Sequence, residues 1–303
     1  MSVPSSTSAW RGHLPLFAVA TTASLWGAWW IPLRAFDARG LAGDWVTVAF
    51  SIAAALLMLP VAILRWRRLA ESSAALVLSG LLAGLSSAAY NHGVMTGDIV
   101  RVSLLFYLTP VWASLFGAVC LGERLGIFRI VSIALGFAGA AVVLRHESGL
   151  PIPELRAEWM GFAAGILWAA ALTVFRKTHE VPAFEKTFAT FIGSAAAASA
   201  FAAFIPGIPT PGWTVTLSLL PYVVALSLAW LIPMVLVELW ASSRLDPGRV
   251  GVVLLMEVAV AAITATLIAG EAFEWRDAAG CLLVMGAGLV ELRAHARETA
   301  LAR

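Results

Sequence analysis

The stretch Asp98 to Glu123, DIVRVSLLFYLTPVWASLFGAVCLGE, has a counterpart 148 positions later in Asp246 to Glu271, DPGRVGVVLLMEVAVAAITATLIAGE. Without a gap, Asp98-x-x-Arg101-Val102 falls on Asp246-x-x-Arg249-Val250, and Gly122-Glu123 falls on Gly270-Glu271. Continued to residue 145, the same shift sets Leu144-Arg145 on Leu292-Arg293 and matches Ala113, Leu135 and Val142. Ten of 48 positions then agree, where roughly five would agree by biased composition alone. Between its flanking motifs each copy is an apolar run of about 20 residues, enough at about 1.5 Å per residue to cross a hydrocarbon core of about 30 Å. A second match, at a shift of 142, sets Leu25-Trp26-x-Ala28 and Arg34 on Leu167-Trp168-x-Ala170 and Arg176. The chain reads as a tandem repeat of membrane-length segments.

Composition agrees. The 303 residues are 60% hydrophobic and 13% charged, with a mean hydropathy of +0.88, which is foreign to soluble domains. Hydropathy and polar breaks place ten transmembrane helices near 14–35, 45–64, 74–92, 99–120, 127–145, 158–176, 184–205, 215–239, 248–269 and 276–292. The organisation expected is a cytoplasmic tail over 1–13, a first five-helix repeat over 14–147, a second over 148–293 and a cytoplasmic tail over 294–303. The first apolar run is too long for a signal-peptide core and is read as a retained helix. Five spans separate the copies, so the second repeat is inverted relative to the first. Such all-α folds build a central cavity between the repeats and expose it alternately to the two sides.

Lys and Arg give the orientation, because cytoplasmic loops carry their excess. With the N-terminus inside, fourteen fall on the inner side (Arg11; Arg65, Arg67, Arg68; Arg124, Arg129; Arg176, Lys177, Lys186; Arg244, Arg249; Arg293, Arg297, Arg303). Six fall outside: Arg34, Arg39, Arg101, Arg145, Arg156 and Arg276. Both termini are expected in the cytoplasm, in a bacterial inner membrane. The net charge of +2 offers nothing to a nucleic acid. Cys120 and Cys281 lie in separate apolar runs and make neither a disulfide framework nor a metal site. The sequence contains no phosphate-binding loop, zinc-protease motif or nucleophile elbow, so no enzyme, metal or cofactor is expected.

The segment Tyr107-Leu-Thr109-Pro110 through Gly122-Glu123-Arg124 resembles the fourth-span signature of EamA-type permeases of the drug/metabolite transporter superfamily. Met256-Glu257 through Gly270-Glu271 is similar to the ninth-span signature, with Val258 where that family often has Pro. The resemblance covers nearly the whole chain and implies ten helices in two inverted repeats. Trp26 and Trp168, with Tyr90-Asn91-His92, look most like YddG-type exporters. This implies a small-molecule substrate, aromatic and other neutral amino acids above all, moved outward by alternating access. Carriers of sugar phosphates, nucleotide sugars or drugs are the alternatives within the superfamily; an intramembrane enzyme or sensor, or a passive channel, are alternatives outside it. Monomer and homodimer both remain open, with membrane lipid as the surroundings.

Individual residues sharpen the expectation. Glu257 lies about ten residues into its span, where an acid costs about 2.5 to 3.5 kcal/mol unless it faces a wet cavity or a partner; it is read as an anchor for a substrate ammonium or as a proton carrier. Trp26 and Trp168, repeat equivalents, offer stacking surfaces, whereas Trp29 and Trp30 are expected as interfacial anchors. Tyr107 shares a face of the fourth span with Pro110, and Pro110 frees a backbone acceptor one turn earlier. Tyr90, Asn91 and His92 crowd polar groups at the end of the third span, suiting a cavity wall. Asp98 with Arg101, and Asp246 with Arg249, are expected as Asp–Arg pairs at helix starts, symmetry-related and available for gating. Gly80-x-x-x-Gly84 and Gly161-x-x-x-Gly165 are expected at close helix contacts.

Overall fold

A computed structural model describes residues 17–18, 20–71, 73–122, 126–143, 152–178, 180–242 and 247–301. Among them every regular element is a helix, with no strand. A helical segment over 20–27 leads into α1 (Trp30–Asp37), α2 (Trp45–Leu64) and a short α3 (Trp66–Glu71). There follow α4 (Ser73–Thr96), α5 (Ile99–Phe106), α6 (Thr109–Leu121) and α7 (Ile127–Val143). The second half comprises α8 (Arg156–Lys177), α9 (Ala183–Phe204), α10 (Trp213–Leu226), α11 (Ile232–Ser242), α12 (Pro247–Thr264) and α13 (Trp275–Leu301).

Among the described residues six stretches are long and apolar enough to cross a membrane: Trp45–Leu64, Ala74–Thr96, Ile99–Cys120, Arg156–Lys177, Ala183–Phe204 and Trp213–Trp240. Shorter apolar helices run over Ile130–Val142 and Met256–Ala269. In hydrocarbon each backbone N–H and C=O must be satisfied within its own segment, which is why uninterrupted apolar runs become helices. The molecule is a polytopic all-helical membrane protein.

Where a helix is interrupted, a local cause can be named. Pro110 cannot donate to Phe106, and the helix breaks at Tyr107 and Leu108, so that Pro110 opens α6 instead of kinking a continuous helix. The Phe106 carbonyl so freed does not wait for a ligand: the Thr109 hydroxyl donates to it at 2.6 Å. The acceptor freed by Pro110 thus finds its partner within the same helix break. Ahead of Pro233 the chain takes a wide π-helical turn over Ser227–Leu231, and a second over Ala265–Ala269 ends the α12 segment.

The halves interlock. α4 of the first half packs along α8 and α9 of the second, α2 also along α9, and α7 along α13. Glycines set the closeness of these seams, as the paired-glycine spacing predicts. A Cβ on Gly84 would run into the Gly193 backbone, and one on Gly193 into the Gly80 carbonyl. A Cβ on Gly161 would lie 2.6 Å from the Val102 carbonyl, and one on Gly165 2.7 Å from that of Phe106. Gly27 of the first span similarly admits the Glu257 carbonyl, which would lie 2.5 Å from an added Cβ. The close approach of α8 to α5 thus has its opposite number in the approach of the first span to α12.

Candidate functional site

Between the halves lies a narrow cavity lined by Trp26, Trp29, Phe50, Trp168 and Phe191, and by the polar side chains of Thr47, Ser51, Ser87, Asn91, Thr190 and Ser194, with Leu231 and Val235. It offers about 40 Å³ to the centres of water molecules, room for a few waters. An organic solute enters only if the walls part. Among the described residues none of the lining side chains is charged.

Helix periodicity explains who faces inward. Ser87 and Asn91 are one turn apart on α4, Thr47 and Ser51 one turn apart on α2, and Thr190 and Ser194 one turn apart on α9. Thr47, Ser51, Asn91, Thr190 and Ser194 are buried, where polar groups need partners. Ser51 donates to Ser194 at 2.9 Å, Thr190 to the Lys186 carbonyl at 2.9 Å, and the Asn91 Nδ2 to Thr47 at 3.3 Å. The Asn91 Oδ1 is left buried without a hydrogen-bond partner.

Trp26 is bound to a residue that the sequence reading passed over. Its Nε1–H donates to Glu238 Oε2 of α11 at 2.7 Å. Leu231, Val235 and Glu238 follow i, i+4, i+7, so the acid continues the face that lines the cavity. Glu257 of α12 is 7% exposed and lies within electrostatic range of Glu238. The Tyr107 hydroxyl is beside Glu257 and couples to it electrostatically, while lying outside hydrogen-bonding geometry to any described partner. Tyr90 also feels the Glu257 charge, but its hydroxyl is engaged by Ser103 at 3.0 Å and its ring packs on Phe106 at 4.9 Å. Trp26, Asn91 and Trp168 therefore meet in the cavity, while Tyr90, Tyr107 and Glu257 form a cluster joined to it through Glu238.

Three readings change. Trp29 and Trp30 are 2% and 4% exposed, not interfacial. Trp29 packs edge-on against Phe50 and Trp230 in the cavity wall, and the Trp30 Nε1–H donates to Thr264 at 3.0 Å. His92 does not join the cavity: it is buried near the start of α2, its Nδ1 is 2.9 Å from Asp44 Oδ2, and it borders a separate crevice with Thr96, Leu155, Arg156 and Ala157. Asp98 and Arg101 are not a side-chain pair. Asp98 caps α5 by accepting the Arg101 backbone N–H at 2.8 Å, and the guanidinium lies 3.7 Å from Glu158 at the start of α8. Asp246 and the Arg249 side chain lie outside the described residues.

At the same end of the bundle, the end expected outside, Arg34 and Glu271 tie the halves together. Arg34 donates to the Val94 and Gly97 carbonyls at 2.9 and 2.6 Å and pairs with Glu271 at 3.2 Å. Glu271 in turn accepts the Ile99 N–H at 2.9 Å. One ion pair thus serves the end of α4 and the beginning of α5, favourable to both helix dipoles. Burial, and then the Asp98 charge, push the Glu271 carboxyl above its ordinary range despite Arg34 and the amides of Ile99 and Val100. A solvated carboxyl holds its proton less tightly than this. Acidification is therefore expected to favour this tied arrangement over one that solvates Glu271, and raising the pH through the displaced range to loosen it. In Arg34→Ala, amide hydrogen exchange across residues 94–100 is expected to rise several-fold, whereas Glu271→Gln, which keeps an acceptor for Ile99, should stay near the native value. Equal exchange in the native protein and Arg34→Ala would show that the end is closed by other contacts.

Comparison with known proteins places this architecture. Over 68 residues, 22% of this chain and 48% of the relative, it is 38% identical to an uncharacterized transporter in the cobO 3' region of Sinorhizobium sp.. The chain spans about half the length of that curated relative. A solved crystal structure of 18% sequence identity superposes with a TM-score of 0.60 over 92% of this chain and 96% of its own, a likeness of fold alone. The EamA-like transporter family model matches residues 13–145 and, a second time, residues 155–290. Matched once in each half, the chain belongs to the EamA-like transporter family.

Proposed function

We propose that the protein is an inner-membrane carrier that moves small metabolites bearing an amine, aromatic and other neutral amino acids foremost, outward by alternating access of the central cavity. The observation that carries this reading is the make-up of the cavity: five aromatic side chains and a set of hydroxyl and amide groups, with the Glu238 and Glu257 carboxylates behind them. Aromatic faces hold planar groups by stacking and attract an ammonium through cation–π contact. Anionic metabolites would call for Arg or Lys at the site, and the lining offers none among the described residues.

The test is counterflow in proteoliposomes loaded with single unlabelled amino acids, with labelled Trp or Phe outside. Transient accumulation driven by aromatic or neutral amino acids is expected, together with its loss in Trp168→Ala. Trp168 lines the cavity and rests edge-on against Phe175 at 6.5 Å, so truncation removes a wall and leaves the rest of α8 in place. If folded, inserted protein accumulates no member of the panel, the amino-acid reading falls.

A further inference from the structure

We infer that Glu238, with Glu257, makes the site select amines that carry no carboxylate, arylalkylamines being the fitting class, over the amino acids related to them. The inference rests on the carrier reading above and names the substrate class of that same cavity. Glu238 of α11 is bound to the cavity residue Trp26, and Glu257 of α12 belongs to the adjoining cluster; neither lines the cavity itself. Neither has Lys, Arg or His within ion-pair distance among the described residues. The titratable groups facing them are Tyr90 and Tyr107, beside Glu257, and each other. Glu257 is buried and Glu238 half-buried, and two carboxylates so placed within range of one another favour a neutralising cation, either a proton or a positively charged ligand.

A separate observation points to the same ligand. The Asn91 side chain is 4% exposed and lines the cavity, yet its Oδ1 is an acceptor with no partner. A buried acceptor of this kind calls for a donor, and an ammonium brings three. For a substrate carboxylate the cavity offers no cation among the described residues, only neutral donors such as the hydroxyls of Thr47, Ser87 and Ser194. The Trp26 indole N–H is committed to Glu238, the Ser51 hydroxyl to Ser194 and the Thr190 hydroxyl to the Lys186 carbonyl. An α-carboxylate sits one carbon from its own ammonium. Drawing that ammonium to the glutamates brings like charge against them, a penalty that an amine lacking the carboxylate escapes.

The experiment is competition against counterflow of labelled Phe, comparing phenethylamine with unlabelled Phe, and tryptamine with unlabelled Trp, in proteoliposomes of the full chain. Tryptamine itself, labelled, is run in parallel as the transported species. Half-inhibition by the amines at a concentration at least several-fold below that of the amino acids is expected. In Glu238→Gln the preference should shrink toward parity and in Glu238→Asp it should return. A residue that merely anchors Trp26 would lower all rates without moving this ratio. Equal inhibition, or better inhibition by the amino acids in native protein, overturns the inference and leaves the carrier reading standing. Counterflow of tryptamine without counterflow of any amino acid supports the inference and removes the amino acids from the proposed function. Counterflow of neither class overturns both.

Discussion

Glu257→Gln is expected to raise the half-saturating concentration for counterflow roughly 10- to 100-fold at neutral pH, while the amount of folded, inserted protein stays the same. The size follows from the interaction removed, a hydrogen bond from a charged donor to a charged acceptor, worth about 1.5 to 3 kcal/mol. Folding should be spared for three reasons. Gln is nearly isosteric with Glu. The backbone carbonyl that packs against Gly27 is unchanged. A neutral amide is also easier than a carboxylate to bury where no cation is at hand. The loss should be larger for amines than for amino acids, the same direction of change as expected at Glu238. Unaltered concentration dependence in Glu257→Gln would remove Glu257 from the site.

Gly193→Ala should have the largest effect on stability. α4 and α9 meet backbone to backbone along Gly80, Gly84 and Gly193, and the added methyl group would run into the Gly80 carbonyl. A flexible side chain could turn aside, but a helix backbone can yield only by moving the whole helix. Overpacking of this kind costs about 1 to 3 kcal/mol or more, and here it parts a seam joining the two halves. Thermal unfolding of the detergent-solubilised protein, followed by loss of the monodisperse species, is expected at clearly lower temperature than for native protein. Gly286→Ala is the control, since an added Cβ there meets nothing within 4 Å. If both variants melt with the native protein, the glycine seam is not what sets the spacing of α4 and α9.

The fold was legible because its signals are one-dimensional. Apolar runs of membrane length and a repeated motif survive without knowledge of contacts, and the Gly80-x-x-x-Gly84 spacing already marked a seam. Part of the cavity was legible for the same reason: the shift of 142 singles out Trp26 and Trp168, and helix spacing aligns Ser87 with Asn91. What stayed hidden depends on partners far away in the chain. His92 looks like an edge residue until Asp44 is brought against it, Arg34 like an orientation charge until it meets Glu271, and Trp29 like an anchor until Phe50 and Trp230 enclose it. Glu238 lies one residue from the end of the run read as 215–239, where an acid passes for an interfacial charge. An acid spaced i+7 from Leu231 was the available signal.

That spacing bears on the wide turn at Ser227–Leu231. A π-helical turn holds one residue more than the α-helical turn it replaces, so everything after it is rotated by about 100° relative to an unbroken helix. The turn is a phase shifter. Pro221 and the residues before it keep one angular setting, whereas Leu231, Val235 and Glu238 keep another, and only the second points at Trp26. Angular position along this span is therefore not a single function of residue number, and the chemistry of the cavity is written in the offset between its two settings.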